Sequence, residues 1–595
     1  MKPIPRDTRR IVRRHIRSAL SLSLLAVALS LPATAAVGDA PPKKRVSAVR
    51  KIPRTLNAEA NQSVVQNVDQ PSQQVFQTLI AEFALQRGNA DLASKAYSDL
   101  ALRTRDPKIL ERAIEVAGLA QRLDLALETA RLWVDVEPES LRAQQVLVRV
   151  MIMANKLDDL APHLIRLLEN DKEALGASLL GLNRMFARNP DRQAIFVLIE
   201  KVCQPFAGLA EAHYAIAMAA SSSSDYVRAL ADVSQALTLR PDWEMAALLE
   251  AQILSSTTPT QVIGFLQGFV ERNPRAYDIK MVLARALAGE KRDAEAKRHF
   301  DELLLALPDK PEVVYTVALY ALQRNDLVSA ESLFKRLLTL DLPDKSLAHF
   351  HLGQIAEDGK RYDEALASYA RIGAGDQYLS AQMRSARLLA DQGKLDQARQ
   401  LLNDATVNSP EQSIQLAIAE AGLLREAGQP LAAFNLLDGL LAAQPDQDDL
   451  LYETALLAEK LGMINILDAR LRKMIDLHPD SARAYNALGY SYADRNLRLP
   501  EANALISKAL KLTPDDAFIL DSMGWVLYRQ GDLPGALSYL EQAYGKRDDP
   551  EVAAHLGEVL WTMDRKADAQ RILRESQKKY PANEAVVDAL KKFAP

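Results

Sequence analysis

Residues 485–514 read YNALGYSYADRNLRLPEANALISKALKLTP, and their pattern returns twice before residue 581. Each copy has a glycine, then an alanine, then a bulky apolar residue four positions after the alanine, and finally a proline. These are Gly489, Gly524 and Gly557; Ala502, Ala536 and Ala569; Ile506, Leu540 and Leu573; Pro514, Pro550 and Pro581. A small residue lets a second helix pack closely, and proline ends that helix because it has no N–H to donate. The stretch therefore predicts one helical hairpin repeated three times.

The alanine site can be followed along most of the chain. It falls at fifteen positions from residue 93 to residue 569, at a mean spacing of 34.0 residues, and twelve of these are alanine. The other three are Leu160, Val262 and Leu467. The residue four positions later, an independent site, is apolar in all fifteen copies. The pattern predicts an all-α protein of about 15 helical hairpins between residues 74 and 583.

The period and the residue types resemble those of the tetratricopeptide repeat (TPR), a family of 34-residue helix-turn-helix units. The matching positions are Tyr485, Leu488, Gly489 and Tyr492 in the first helix, and Ala502, Ile506, Ala509 and Pro514 in the second. The resemblance implies a right-handed superhelical solenoid of about 15 TPR-like hairpins. We call the first helix of each hairpin the A helix and the second the B helix. The resemblance also implies that the A helices line a concave groove.

The array divides into two parts that differ in how closely their repeats follow the pattern. Residues 74–208 are predicted to be degenerate hairpins, because Ile114, Val148 and Leu182 replace the small residue of the A helix. Residues 209–583 are predicted to form the regular superhelix, with left-handed glycines in the turns between helices. These glycines are Gly393, Gly428, Gly462 and Gly531. Residues 584–595 are predicted to be a capping helix, since a terminal hairpin exposes an apolar face that needs cover.

The first 36 residues have the features of a signal peptide. A basic segment precedes an uncharged stretch from Ser18 to Leu31, and Ala33-Thr34-Ala35 offers a cleavage site. The uncharged stretch is shorter than the roughly 20 residues that span a bilayer, so we expect removal rather than a retained anchor. No cysteine follows it to carry a lipid. The expected product is a periplasmic protein that is not lipidated and has no transmembrane span.

Residues 37–73 are rich in Pro, Gln, Asn and Ser and are predicted to be a flexible linker. Such a segment buries too little apolar surface to offset the entropy lost on ordering. The alternative is an arm that orders on a partner or on anionic lipid. Basic clusters at residues 43–45 and 50–51 support that alternative.

Net charge and cysteine content exclude two classes of protein. The formal net charge is −4, and loss of residues 1–36 removes seven basic residues and one acidic residue, which leaves about −10. Nucleic-acid binders are usually basic, so nucleic acid is not a predicted partner. Cys203 is the only cysteine, so an exported chain has no internal disulfide framework and must be stabilised by helix stacking.

Catalytic and metal-binding patterns are missing from the sequence. The eight histidines have no metal-ligand spacing, and no G-x-S-x-G, H-E-x-x-H, CxxC or phosphate-binding glycine loop occurs. His349 and His351 lie two residues apart and point to different sides of a helix. We therefore predict a protein that is not an enzyme and has no cofactor or metal.

Candidate binding residues follow from the TPR resemblance, which places A-helix side chains in the groove. The fifth A-helix position of eight consecutive hairpins, called the A-helix row below, carries Tyr214, Ala247, Met281, Tyr315, Phe350, Met383, Ile418 and Tyr452. The last three hairpins carry the C-terminal aromatic cluster, which is Tyr490, Trp525, Tyr528 and Trp561. Methionine and aromatic residues suit grooves that accept a helix or an extended peptide. The alternative is that these side chains pack between neighbouring A helices.

A carboxylate ligand is a further possibility that the resemblance raises. Some TPR proteins clamp a peptide carboxylate with Lys, Arg and Asn side chains of their A helices. Arg483 and Asn486 in one hairpin, with Arg384 and Arg387 in another, are the closest matches. They do not reproduce the full clamp.

In overall plan the chain resembles the proteobacterial TPR adaptors of the cell envelope, which include the lipoprotein adaptor of a carboxyl-terminal processing protease. The resemblance implies a scaffold that binds a protease on one segment and murein hydrolases on another. A second hypothesis is a scaffold in polysaccharide secretion, whose C-terminal aromatic cluster stacks on sugar rings. An enzyme is the third.

Overall fold

The computed structural model describes residues 70–593, and this part of the chain is helical and contains no strand. Its thirty-one α-helices form fifteen hairpins and a final single helix, which confirms the predicted all-α repeat solenoid. Odd-numbered helices up to α29 are A helices, and the even-numbered helices that follow them are B helices. The predicted signal peptide and residues 37–69 of the predicted linker lie outside the described residues.

The described chain forms two units, residues 70–306 and 307–593. The first unit contains α1 Gln70–Gln86, α2 Ala90–Thr104, α3 Pro107–Leu119, α4 Leu123–Val136, α5 Leu141–Met153, α6 Leu160–Asn170, α7 Leu175–Met185, α8 Arg192–Cys203, α9 Ala210–Ser222, α10 Tyr226–Leu239, α11 Glu244–Thr257, α12 Pro259–Arg272, α13 Tyr277–Gly289 and α14 Asp293–Ala306. A 3₁₀ helix, Gln204–Phe206, follows α8 near the predicted division at residue 208, which stays a prediction.

The second unit holds eight hairpins and the final helix. It contains α15 Pro311–Gln323, α16 Leu327–Thr339, α17 Ser346–Asp358, α18 Tyr362–Tyr369, α19 Tyr378–Asp391, α20 Leu395–Asn403, α21 Pro410–Glu426, α22 Pro430–Ala443, α23 Asp448–Lys460, α24 Ile464–Leu477, α25 Ala482–Asp494, α26 Leu499–Leu512, α27 Ala517–Gln530, α28 Leu533–Lys546, α29 Pro550–Thr562, α30 Lys566–Lys579 and α31 Glu584–Phe593.

The interior of each hairpin is built as the repeat pattern predicts. The residue four positions after the alanine site is buried in all fifteen hairpins, and in four of them it lies directly opposite an A-helix glycine, at Gly353, Gly489, Gly524 and Gly557. A Cβ added to Gly524 would lie 2.6 Å from Leu540 Cγ and 3.0 Å from the carbonyl oxygen of Ala536. Gly489 faces Ile506 in the same way. The two backbones therefore approach more closely than any side chain at the glycine would allow.

Turn chemistry ends the A helices. Gly531 has φ +89°, a left-handed conformation that glycine adopts without steric cost, and Gly393, Gly428 and Gly462 are also left-handed, as predicted. The next residue, Asp532, accepts a hydrogen bond from the backbone N–H of Gly535 and so caps α28. One glycine and one aspartate thus reverse the chain.

The final helix covers the last hairpin. Asn583 Oδ1 accepts a hydrogen bond from the N–H of Val586 and starts α31, whose residues Val586, Ala589 and Phe593 are buried. Lys591 and Lys592 lie on its exposed side. Among residues 70–593, none of the helices combines the length and the apolar character needed to cross a bilayer.

Candidate functional site

The A-helix row of the second unit occupies five consecutive A helices, α15, α17, α19, α21 and α23. Its members Tyr315, Phe350, Met383, Ile418 and Tyr452 are all half-buried. Each side chain therefore packs on one side and leaves part of its apolar surface to solvent. Half-burial agrees with packing between A helices, and groove lining by the accessible part of each side chain stays a prediction.

Two rings of the row are covered in part by arginines of the next A helix. The Arg384 guanidinium lies 5.8 Å from the ring centroid of Phe350, and that of Arg483 lies 4.9 Å from the centroid of Tyr452. Such cation–π contacts contribute about 0.5–1 kcal/mol at exposed sites. They hold the rings in place between successive hairpins.

Tyr315 belongs to a ring stack with Phe334 and His351. The ring of His351 lies 4.9 Å from Phe334 at an angle of 23° and 6.2 Å from Tyr315, and burial lowers the pKa of His351. A neutral imidazole suits this apolar setting, since an uncompensated buried charge is costly. His351 is therefore part of the packing beneath the row.

The first unit carries the remaining members of the row. Tyr214 and Met281 are half-buried, and Ala247 between them is buried. The ring of Tyr214 lies 5.0 Å from that of Trp243, over which the Arg240 guanidinium stacks at 4.6 Å. This aromatic contact lies between α9 and the start of α11. The sequence analysis did not identify Trp243 as part of it.

The C-terminal aromatic cluster is organised around a histidine. His555 stacks on Trp525 with ring centroids 4.1 Å apart and an angle of 21°, while Tyr528 lies 5.1 Å from Trp525 and Tyr490 lies 6.2 Å from His555. Arg529 lies over the same tryptophan at 5.3 Å. Trp525 is only 6% exposed, so its faces already have partners within the chain. Tyr490 and Tyr528 are half-buried and retain exposed edges.

Trp561 has a different neighbour from the other three. Its ring lies 5.8 Å from Phe593 of α31, and Lys566 Nζ lies 5.5 Å from its centroid. Tyr528 is tied to the same helix α29, since its hydroxyl donates to Glu558 Oε1 at 3.2 Å. The structure brings Tyr490, Trp525 and Tyr528 together through His555, and it joins Trp561 to the capping helix.

Acidic groups set the electrostatics of the C-terminal aromatic cluster. His555 Nδ1 lies 3.0 Å from both carboxylate oxygens of Asp521. Burial alone would lower the pKa of His555, but the Asp521 carboxylate, with help from Glu551 and Asp494, raises it above its usual range. Burial and the same carboxylates raise the pKa of the Tyr490 hydroxyl. The cluster therefore favours a positive charge on its imidazole.

Sequence reasoning missed Asp521 and His555. Asp521 occupies the fifth A-helix position of its hairpin, the register of the A-helix row, and His555 lies 34 residues later, one mean repeat period. A charged residue in an otherwise apolar register, with a histidine one period away, is the signal that would have found the pair. The spacing places them at neighbouring heights on α27 and α29.

The candidate carboxylate clamp is occupied by the chain's own acidic groups. Arg483 Nη2 lies 2.9 Å from Asp449 Oδ1, and Arg384 Nη1 lies 3.0 Å from Glu357 Oε2. Arg387 pairs with Glu426 at 2.5 Å. Asn486 differs from these, because its Oδ1 is buried without a hydrogen-bond partner. A ligand carboxylate would have to compete with three existing ion pairs.

The described residues offer neither a metal-ligand cluster nor a reactive thiol. No group of three or more His, Cys, Asp or Glu side chains between residues 70 and 593 is arranged to hold a metal ion. Cys203 is fully buried, and burial raises its thiol pKa to about 12, so the thiolate that would act as a nucleophile is scarce at neutral pH.

Comparisons with known proteins agree with this architecture. Family models described as tetratricopeptide repeat match residues 315–378 and 527–592. The chain is 29% identical over 181 residues to cellulose synthase operon protein C of Xanthomonas axonopodis pv. citri, a match that covers 28% of this chain and 12% of that protein.

Solved structures that are similar include a TPR protein of Thermus thermophilus and the Cut9–Hcn1 assembly. The first is 23% identical, with a TM-score of 0.28, and the match covers 30% of this chain and 96% of that one. The second is 15% identical, with a TM-score of 0.31, and the match covers 88% of this chain and 97% of that one.

A relative in Pseudomonas aeruginosa extends the match over most of the chain. That protein, described as TPR repeat-containing, is 32% identical over 491 residues, which are 81% of this chain and 82% of the relative. The similarity reaches well beyond the two segments that the family models match. The chain therefore belongs to the tetratricopeptide-repeat family.

Proposed function

We propose that the chain is a non-enzymatic scaffold of the cell envelope that binds partner proteins or peptides through its A helices. The A-helix row of the second unit supports this proposal. Five consecutive A helices each present one large apolar side chain at the same position, half-buried and held by its neighbours. Exposed apolar surface repeated in this way is typical of an interaction site.

The row suits a helical or extended peptide. Its rings and thioether keep apolar surface exposed although packing already restricts their rotamers, so binding costs little further side-chain entropy. Successive A helices repeat the contact, so that a partner can engage several hairpins at once. Affinity would then be the sum of many modest contacts.

The partners that we propose are those of an envelope adaptor, a protease on one segment and cell-wall hydrolases on another. Export supports the setting, because the first 36 residues have the sequence features of a signal peptide. In that setting the chain would be periplasmic and would deliver hydrolases for processing. N-terminal sequencing of the exported chain tests the export step directly, since cleavage predicts a new terminus close to Ala35.

A photo-crosslinking experiment tests the binding surface. A photoreactive amino acid is placed at Tyr315, Phe350 or Tyr452 in living cells, and crosslinked proteins are identified by mass spectrometry. The matched control places the same amino acid at Val328, an apolar residue of B helix α16 that is 82% exposed. We expect the same one or few envelope proteins from all three row positions and none of them from Val328. Equal capture from Val328, or none from the row, would show that the A helices are not the binding surface.

A second candidate, a scaffold in polysaccharide secretion, is favoured by the similarity to cellulose synthase operon protein C. Sugar rings stack on exposed aromatic faces, and Tyr490, Tyr528 and Trp561 keep partial exposure while Trp525 does not. Glycan binding would therefore depend on Trp561→Ala more than on row substitutions. Retention of envelope glycan, lost in Trp561→Ala and kept in Tyr315→Ala, would favour this candidate over the first.

A further inference from the structure

The first A helix carries an exposed apolar stripe. Val75, Phe76, Leu79, Ile80 and Phe83 of α1 are between 39% and 64% exposed. Their spacing of three, four and seven residues places them on one face of the helix. Isolated exposed apolar residues are common, but five on one face form a continuous patch.

Two of the stripe positions, those of Ile80 and Phe83, are core positions in the following hairpins. Phe83 corresponds to Val116 in α3 and to Val150 in α5, one and two repeats later, and both are buried. Ile80 likewise corresponds to the buried Ala113. In α3 these positions are buried, and the preceding B helix, α2, packs against α3. Within the described residues, α1 has no preceding B helix, so the core positions of Ile80 and Phe83 are left uncovered on its outer face.

The surface around the stripe permits association without charge repulsion. Glu82 is the one charged residue of α1. Its carboxylate accepts hydrogen bonds from residues of the next two helices of the same chain, Tyr97 at 2.6 Å and Arg112 Nε at 3.0 Å. The other exposed residues of α1 are uncharged, with glutamines among them, and the first basic residue, Arg87, follows the end of the helix. Helices that lie on anionic membranes are usually rich in Lys and Arg, and α1 has neither.

The size of the patch matches what a dimer needs. Side chains of this size, half to two-thirds exposed, leave roughly 500 Å² of apolar surface on one copy. Two copies would bury roughly 1,000 Å² before flanking residues are counted, which is near the lower limit for a specific interface. A two-fold axis lets one patch serve both partners.

We propose that two copies of this chain associate through α1, each stripe packing against its twin about a two-fold axis. The second copy supplies the apolar helical surface that a preceding B helix supplies inside the array. The axis passes near Leu79, the middle of the stripe, so the two Leu79 side chains meet. The interaction is independent of the A-helix row, and its test does not depend on the binding function proposed above.

Molecular mass in solution tests the association. Sedimentation equilibrium of the full chain is expected to give twice the mass of one chain. A Phe76→Glu, Phe83→Glu double variant is expected to raise the dissociation constant about tenfold or more, because it places charges in the apolar interface. The control is Val227→Glu, Leu305→Glu, which changes two equally apolar residues that are 84% and 86% exposed on B helices. A dimer that survives the α1 variant, or a chain that is monomeric at tens of micromolar, overturns the proposal.

Crosslinking tests the geometry of the contact. The only native cysteine is fully buried, so a Leu79→Cys variant under mild oxidation reports on that position alone. We expect covalent dimers from Leu79→Cys and not from Leu305→Cys. If residues 37–69 of the same chain covered α1 instead, Leu79→Cys would stay monomeric and the proposal would fail.

Discussion

At Gly524 the A and B helices of one hairpin approach to a distance that leaves no room for a methyl group. The obstacles to a Cβ are the side chain of Leu540 and the backbone oxygen of Ala536, and a backbone oxygen cannot move away without shifting its helix. Gly489 faces the same two obstacles, the side chain of Ile506 and the backbone oxygen of Ala502, and Gly557 faces the side chain of Leu573. The sequence predicts this correctly, because a small residue opposite a bulky one is a local rule repeated in the last three hairpins.

We expect Gly524→Ala to destabilise the second unit by about 1–3 kcal/mol, because the added methyl overpacks the hairpin. Gly439→Ala is the control. A Cβ there meets nothing within 4 Å, so it should stabilise helix α22 by about 0.5–1 kcal/mol. Chemical denaturation followed by circular dichroism measures both changes. Equal effects at the two glycines would contradict the close approach.

The His555–Asp521 pair predicts a dependence of stability on pH. The folded state raises the pKa of His555 above its unfolded value near 6.5. The stabilisation is therefore complete below about pH 6.5 and is lost as the pH rises through the folded pKa. Asp521→Asn should remove this loss of stability at rising pH, measured as the change in melting temperature across that range.

An internal control comes from a second histidine. Burial and the nearby Arg371 and Lys345 lower the pKa of His349, so NMR titration should place the His349 transition below 6.5 and the His555 transition above it. In Asp521→Asn only the His555 transition should move, and it should move downward. If both histidines titrate together, the ion pair does not form in solution.

Among the elements, α31 shows what the end of an array requires. Its buried Phe593 packs against Trp561, and its neighbour Lys592 is exposed and pairs with Glu558 at 3.0 Å. Phe593→Ala should cost about 2–4 kcal/mol in the last hairpin, because it opens an apolar cavity. Lys592→Ala should cost under about 1 kcal/mol, since surface ion pairs contribute little. Hydrogen exchange in α29 and α30 measures both; similar exchange in the two variants would argue against a capping role.

The burial of the candidate site residues illustrates what a single repeat cannot reveal. Trp525 looks like a groove residue within its own hairpin, but His555 of the next hairpin and Arg529 of the same helix cover it. Whether Tyr315 or Tyr452 keeps exposed surface depends on the side chain that the next hairpin places at the same height. That partner lies about 34 residues away and is set by how neighbouring hairpins stack. The sequence predicts the position of each candidate residue within its repeat. It does not predict how much of that side chain is exposed to solvent.

At the scale of the whole molecule, the two units share one construction rule, in which each hairpin buries its faces against its sequence neighbours. The rule predicts an uncovered apolar face wherever a neighbouring hairpin is missing. The exposed stripe on α1, in the first described hairpin, is such a face. It is silent on partners, because any sequence that keeps the small and bulky positions preserves the array. The remaining positions are free to vary without loss of the array.

The buried thiol of Cys203 affects how the chain folds. The chain has one cysteine, and its thiol is buried once α8 has packed. Non-native intramolecular disulfides therefore cannot form during folding, even in an oxidising compartment. Contacts between adjacent segments also form quickly, since little chain has to be brought together for each of them. Acquisition of structure should therefore proceed at the same speed with or without an oxidant.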